Sequence, residues 1–233
     1  MIKDKINNTI EQLNKQFTDF QNKIKSVKAL TIYSQEEINR RTEAIYKQYE
    51  ETVSSAIDNL EKNVKSCIDI EVNKLTTDAK NNENAQRILS DFHIISSGEY
   101  DDETLFLFIK PYMGDLLSMK KLCGIPKFDD AKYSTTRFLL CLAYRIDTLS
   151  ANLCNAFSQY LKLNKCRYSY ITKSTANLSF AVNEQTLLNI VDKFESTIEI
   201  IEQAKKATYS DINNLIEKMK TPYKMKQQQN KFR

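Results

Sequence analysis

Glycine and proline occur only three times each in 233 residues, and that scarcity excludes whole classes of function. A phosphate-cradling loop needs clustered glycines, so P-loop and dinucleotide-binding readings fall away. The single histidine, His93, stands among Phe92, Ile94 and Ile95 with no orienting partner nearby, and reads as structural rather than catalytic or metal-binding. The five cysteines, Cys67, Cys123, Cys141, Cys154 and Cys166, are odd in number and form no Cys-x-x-Cys pair. This argues against a disulfide framework and a zinc site, and favours a reducing compartment. The longest apolar runs, LFLFI and FLLCLAY, fall far short of the ~20 residues of a membrane helix, and the N-terminus lacks an apolar h-region. The expectation is a cytoplasmic, non-enzymatic protein with no catalytic residue, metal, cofactor or membrane contact.

What is present is helical periodicity. All three glycines (Gly98, Gly114, Gly124) and two of the prolines (Pro111, Pro126) lie between residues 98 and 126, leaving 1–97 and 127–221 free of both. Because these residues punctuate helices, long helices should flank a middle of short helices and turns. In the opening stretch Ile6, Ile10, Leu13, Phe17, Phe20, Ile24 and Val27 are spaced alternately by four and three, one apolar seam on a helix from about Ile2 to Leu30. Ser34 and Glu37 have capping-box spacing and should open a second helix, from Gln35 to about Lys80. There the repeat is eleven residues: Thr42, Val53, Val64 and Leu75 form one row, and Tyr46, Ile57 and Ile68 another. At 1.5 Å per residue the two helices would be roughly 40 and 70 Å long, so at least one more helix is needed to cover them.

The C-terminal end offers it. Leu187, Val191, Phe194, Ile198 and Ile201 keep heptad spacing behind a plausible Asn183 cap, and the pattern resumes at Ile212, Leu215 and Met219 after Lys205 and Thr208. Whether this third helix comes from the same chain or another is open. The apolar stretch Tyr133–Leu163 should be the buried central helix of the middle, while CRYSYIT and NLSFAV alternate with period two and suggest a small β-hairpin.

The expected fold is therefore all-α: long coiled-coil helices at both ends, a compact helical segment between them and one small hairpin. The divisions fall at 1–80, 81–182, 183–220 and a basic tail, 221–233.

Charge adds two candidates. The acidic cluster EYDDET, residues 99–104, could hold a divalent cation, but it lacks calcium-loop spacing, and acids at a helix start are explained by the macrodipole. KFDD at 127–130 reads the same way. The formal charge is only +4, yet Lys218, Lys220, Lys224, Lys226, Lys231 and Arg233 fall in a tail without acids, leaving about −2 for residues 1–217. With Lys162, Lys165, Arg167 and Lys173, which interleave with Tyr168 and Tyr170, they are candidate polyanion-binding residues.

One segment looks familiar. In GEYDDETLFLFIKPYMGDLLSMKKL, residues 98–122, an acidic helix start, an apolar helix, a Pro-Tyr-x-Gly-Asp turn and a second apolar helix resemble a segment of helical, coiled-coil-containing structural or head-assembly proteins of tailed bacteriophages of Gram-positive bacteria. The resemblance covers about a tenth of the chain. It implies an accessory role in virion structure or head assembly and a virion-associated location. Two function classes follow: an assembly protein that forms homo-oligomers through its seams and presents the middle segment to another protein, or a nucleic-acid-associated protein acting through its basic tail.

Overall fold

The computed structural model describes residues 2–77, 82–167 and 182–217. Over these residues the chain is all-α: α1 Ile2–Lys28, α2 Gln35–Thr77, α3 Asn82–Ser97, α4 Asp102–Ile109, α5 Leu116–Cys123, α6 Ser134–Arg167, α7 Glu184–Ala204 and a last helix, α8, over 209–217. No strand occurs among the described residues. Cys166 and Arg167, which open the expected hairpin, belong to α6; the rest of that hairpin lies outside the described residues up to 181, as does the tail from 218.

Two compact units emerge, Met1–Ile70 with Leu149–Phe194, and Glu71–Thr148 with Glu195–Arg233. They do not follow the segments 1–80, 81–182 and 183–220, because α2, α6 and α7 each contribute to both.

In unit one, α1 and α2 run antiparallel. The Phe20 ring sits 5.0 Å from both Tyr46 and Tyr49, while far along α2 the Lys5 ammonium donates to the Cys67 sulfur at 2.7 Å. The seam faces inward as its spacing requires: Ile6, Ile10, Leu13, Phe20 and Ile24 are buried, and Phe17 and Val27 are half-buried. On α2 the residues at eleven-residue spacing, Thr42, Val53, Val64 and Leu75, are all buried, with Ile57 and Ile68 beside them and Tyr46 half-buried. Eleven residues close three turns almost without drift, so such a row stays on one face of a nearly straight helix.

The capping box that opens α2 is half formed. Ser34 Oγ accepts the Glu37 N–H at 3.3 Å, but the Glu37 carboxylate turns forward to Arg40 and Arg41, at 2.8 and 2.7 Å, instead of reaching back. Two guanidiniums one turn away outcompete a single backbone N–H.

The third helix comes from the same chain. Lys3 on α1 pairs with Asp192 on α7 at 2.6 Å, and Leu187, Val191 and Phe194 are fully buried. A fourth helix joins through α6, where the Ser158 hydroxyl donates to Glu61 and Lys165 approaches Asp58 at 3.9 Å. Glu61 also receives Lys65 at 2.7 Å, and these two hydrogen bonds hold its carboxyl below the usual range.

Unit two is built on buried aromatics, Phe106, Tyr112, Phe128 and Tyr133, with Leu105, Ile109, Met119, Leu122 and Ile146. The expected central helix is α6, divided between the units: Leu139, Leu142 and Ile146 are buried and Phe138 half-buried in unit two, and Leu153, Phe157 and Tyr160 are buried and Leu149 half-buried in unit one. Gly114 adopts φ +93° and lies against the Lys205 side chain, where a Cβ would collide; only glycine takes that turn without strain. The expected continuous C-terminal heptad helix is divided here. α7 ends at Ala204 with Ile201 buried and Ile198 half-buried, and Thr208 opens α8 through a reciprocal cap. Its hydroxyl donates to Asp211 Oδ2 at 2.6 Å and accepts the Asp211 N–H at 3.2 Å. Lys110 donates to the Ala207 carbonyl at 2.7 Å in the turn between α7 and α8. The polar interruption at Lys205 and Thr208 is thus a helix boundary.

Candidate interaction surface on α5 and α6

Both helices of this surface start on carboxylates. Asp115 caps α5, accepting the N–H groups of Leu117 at 3.1 Å and Ser118 at 3.3 Å as well as the Ser118 hydroxyl. α6 is capped from a distance: the Asp102 carboxylate accepts the Thr135 N–H at 3.0 Å and the Thr136 N–H at 3.1 Å. Asp101 and Asp102 of EYDDET therefore serve helix starts, since Asp101 caps α4 by accepting the Thr104 N–H at 2.7 Å. The Thr104 side chain, and after it this backbone N–H, hold the Asp101 carboxyl below its ordinary range. In KFDD, Asp130 accepts the Lys132 N–H at 3.0 Å and Asp129 pairs with Arg137 at 3.1 Å.

With their starts fixed, α5 turns Leu116, Met119 and Leu122 inward, and α6 turns Leu139, Leu140, Ala143 and Ile146 inward. Apolar residues remain outside. Leu117 is 55% exposed and Tyr144 is 51% exposed. The register between the two helices is set by three contacts: Cys123 and Cys141 with sulfurs 3.7 Å apart, the Tyr144 hydroxyl donating to the Lys120 carbonyl at 3.4 Å, and an ion pair from Lys120 to Asp147. As α6 advances from 141 to 147, its partner on α5 steps back from 123 to 120. The helices are antiparallel neighbours, and Leu117, one turn before Lys120, continues the row that Tyr144 and Lys120 occupy. Other apolar residues are exposed as well, among them Ile32 between α1 and α2, Leu89 on α3 and Leu107 on α4.

The structure distributes the sequence-derived candidates unevenly. Of the seam residues of α1 and α7, Ile6, Ile10, Leu13, Phe20, Ile24, Leu187, Val191 and Phe194 are buried in unit one, where Phe17 and Val27 are half-buried, whereas Ile198, half-buried, and Ile201, buried, belong to unit two. Of the polyanion candidates, Lys162 is exposed on α6 and Lys165 stands toward Asp58. The Arg167 side chain, Lys173 and the six basic residues of the tail, Lys218, Lys220, Lys224, Lys226, Lys231 and Arg233, lie outside the described residues. His93 is exposed on α3, and its carbonyl accepts the hydroxyls of Ser96 and Ser97.

Leu117 and Tyr144 were missed by sequence reasoning, though a signal existed. DLLSMKKL places two leucines side by side, and a helix with one buried face can turn only one of them inward. No described helix is long and apolar enough to cross a membrane. Comparison of the chain with protein-family models, curated proteins and solved structures returns no match.

Proposed function

We propose that the chain is a non-enzymatic helical assembly protein that associates with further copies of itself through the exposed face of α5 and α6. The heptad seams act as coiled-coil packing within one chain. One observation supports the reading above others: Leu117 and Tyr144, both more than half exposed, stand on adjacent helices whose mutual register is bonded. Exposed apolar residues on neighbouring helices of fixed register are what a protein contact uses, with an aromatic among its anchors. The resemblance of residues 98–122, which include α5 up to Leu122, to phage head-assembly proteins directs the reading toward a virion or head-assembly role.

Light scattering on full-length protein tests it. Wild type should be an oligomer, and the double variant Leu117→Glu, Tyr144→Glu a monomer with unchanged helical content. A monomeric wild type, or an oligomer indifferent to the two substitutions, would refute the proposal.

A further inference from the structure

Cys123, the last residue of α5, and Cys141, on α6, hold their sulfurs 3.7 Å apart as free thiols. A disulfide requires about 2.05 Å. The Lys120 contacts with Tyr144 and Asp147 hold the two helices side by side here, so the sulfurs start within reach of one another.

We propose that Cys123 and Cys141 are a redox modification site, which hydrogen peroxide converts to a reversible intramolecular disulfide tying the end of α5 to α6. The two thiols differ in access, and that sets the order of events. Cys141 is exposed and Cys123 half-buried, so peroxide meets Cys141 first. The Cys141 sulfur, as thiolate, attacks one peroxide oxygen; the O–O bond breaks, hydroxide leaves and is protonated to water, and Cys141 becomes a sulfenic acid. The Cys123 sulfur then attacks the Cys141 sulfur. The S–S bond forms, the S–O bond breaks, and a second water carries off the hydroxyl with the Cys123 proton. In sum, two thiols are oxidised by two electrons and one peroxide is reduced to two waters.

Burial and the hydrogen bond with Cys141 push the Cys123 thiol up to about 11. Cys123 is therefore the resolving partner and not the first to react. Of the other described cysteines, Cys67 and Cys154 belong to unit one, Cys67 beside the Lys5 ammonium. The bond would close the connection that carries the 3-10 turns Pro126–Asp129 and Ala131–Tyr133, restricting the unfolded chain more than the folded one.

The test treats reduced full-length protein with hydrogen peroxide, then alkylates the remaining thiols and maps peptides. The expected product has lost two hydrogens, carries a Cys123–Cys141 linked peptide and melts higher by on the order of 5–10 °C. Dithiothreitol should reverse all three. Cys141→Ser should give no link and no melting gain. In Cys123→Ala, Cys141 should proceed to the irreversible sulfinic acid, with circular dichroism of both reduced variants verifying the fold. The proposal is overturned if wild-type Cys141 reaches sulfinic acid while Cys123 remains alkylatable, or if the disulfide forms to another cysteine or between chains.

Discussion

Asp102 and Thr135 stand 33 residues apart, yet the Asp102 carboxylate accepts the Thr135 backbone N–H at 3.0 Å. Its other oxygen takes the Thr136 N–H at 3.1 Å, and the Tyr209 hydroxyl donates to the first at 3.1 Å. One buried side chain thus joins the start of α4, the start of α6 and the start of α8. Burial raises the Tyr209 hydroxyl above its ordinary range, and the bond to Asp102 adds to the rise. A carboxylate is suited to the position because α6 presents amides that nothing within its own turn satisfies and a dipole whose positive end favours an anion.

Replacing Asp102 by alanine should therefore cost more than losing an ordinary helix cap. Two charge-assisted N–H bonds and one hydroxyl bond disappear together, and the amides stay buried. The expected loss is about 3 kcal/mol for Asp102→Ala and roughly half that for Asp102→Asn, which keeps one acceptor oxygen. Urea unfolding of the three proteins at neutral pH measures it, and a loss below about 1 kcal/mol for the alanine variant would contradict the joining role.

Arg40 and Arg41 hold the Glu37 carboxyl at about 2, below its ordinary 4.5, chiefly through their hydrogen bonds to it. A depressed folded-state value means that the contribution to stability is fully present above about 4.5 and fades as pH falls through the folded value. The site is exposed, so salt should weaken the effect. Carbon-13 titration of the Glu37 carboxyl should give a midpoint near 2 in wild type and near 4.5 in Arg40→Ala, Arg41→Ala; a wild-type midpoint near 4.5 would show that the pairs do not form in solution.

Much of this architecture is legible in the sequence because period fixes face. Ile6, Ile10, Leu13, Phe20 and Ile24, and the eleven-residue row from Thr42 to Leu75, are buried where their spacing puts them. What period cannot reveal is which chain supplies the neighbour: a heptad seam reads the same whether its partner lies in cis or in trans, and only the Lys3–Asp192 and Ser158–Glu61 contacts identify the same chain as the source. The break after Ala204 was visible as polar residues, but a capping box inside a heptad pattern looks like a mere interruption until Asp211 is seen to close on Thr208. Asp102 was legible as an acid at a helix start, and its bond to Thr135 was not, because the pattern along one helix carries no information about the end of another. Leu117 and Tyr144 escaped notice for a related reason. Composition marks a residue as apolar, and only the packed helix decides whether it is inside.

With the seams closed within one chain, association is left to α5 and α6. Lys3 and Asp192, paired at 2.6 Å and both accessible, permit the most direct test. Protein labelled with nitrogen-14 and protein labelled with nitrogen-15 are unfolded together, refolded as a mixture and treated with a carbodiimide, which joins neighbouring amines and carboxylates. The linked Lys3–Asp192 peptide is then weighed. Wholly light and wholly heavy peptides, without mixed ones, are the predicted result; a large share of mixed peptides would mean that α7 packs on another chain's α1 and that the seams themselves are the oligomer interface.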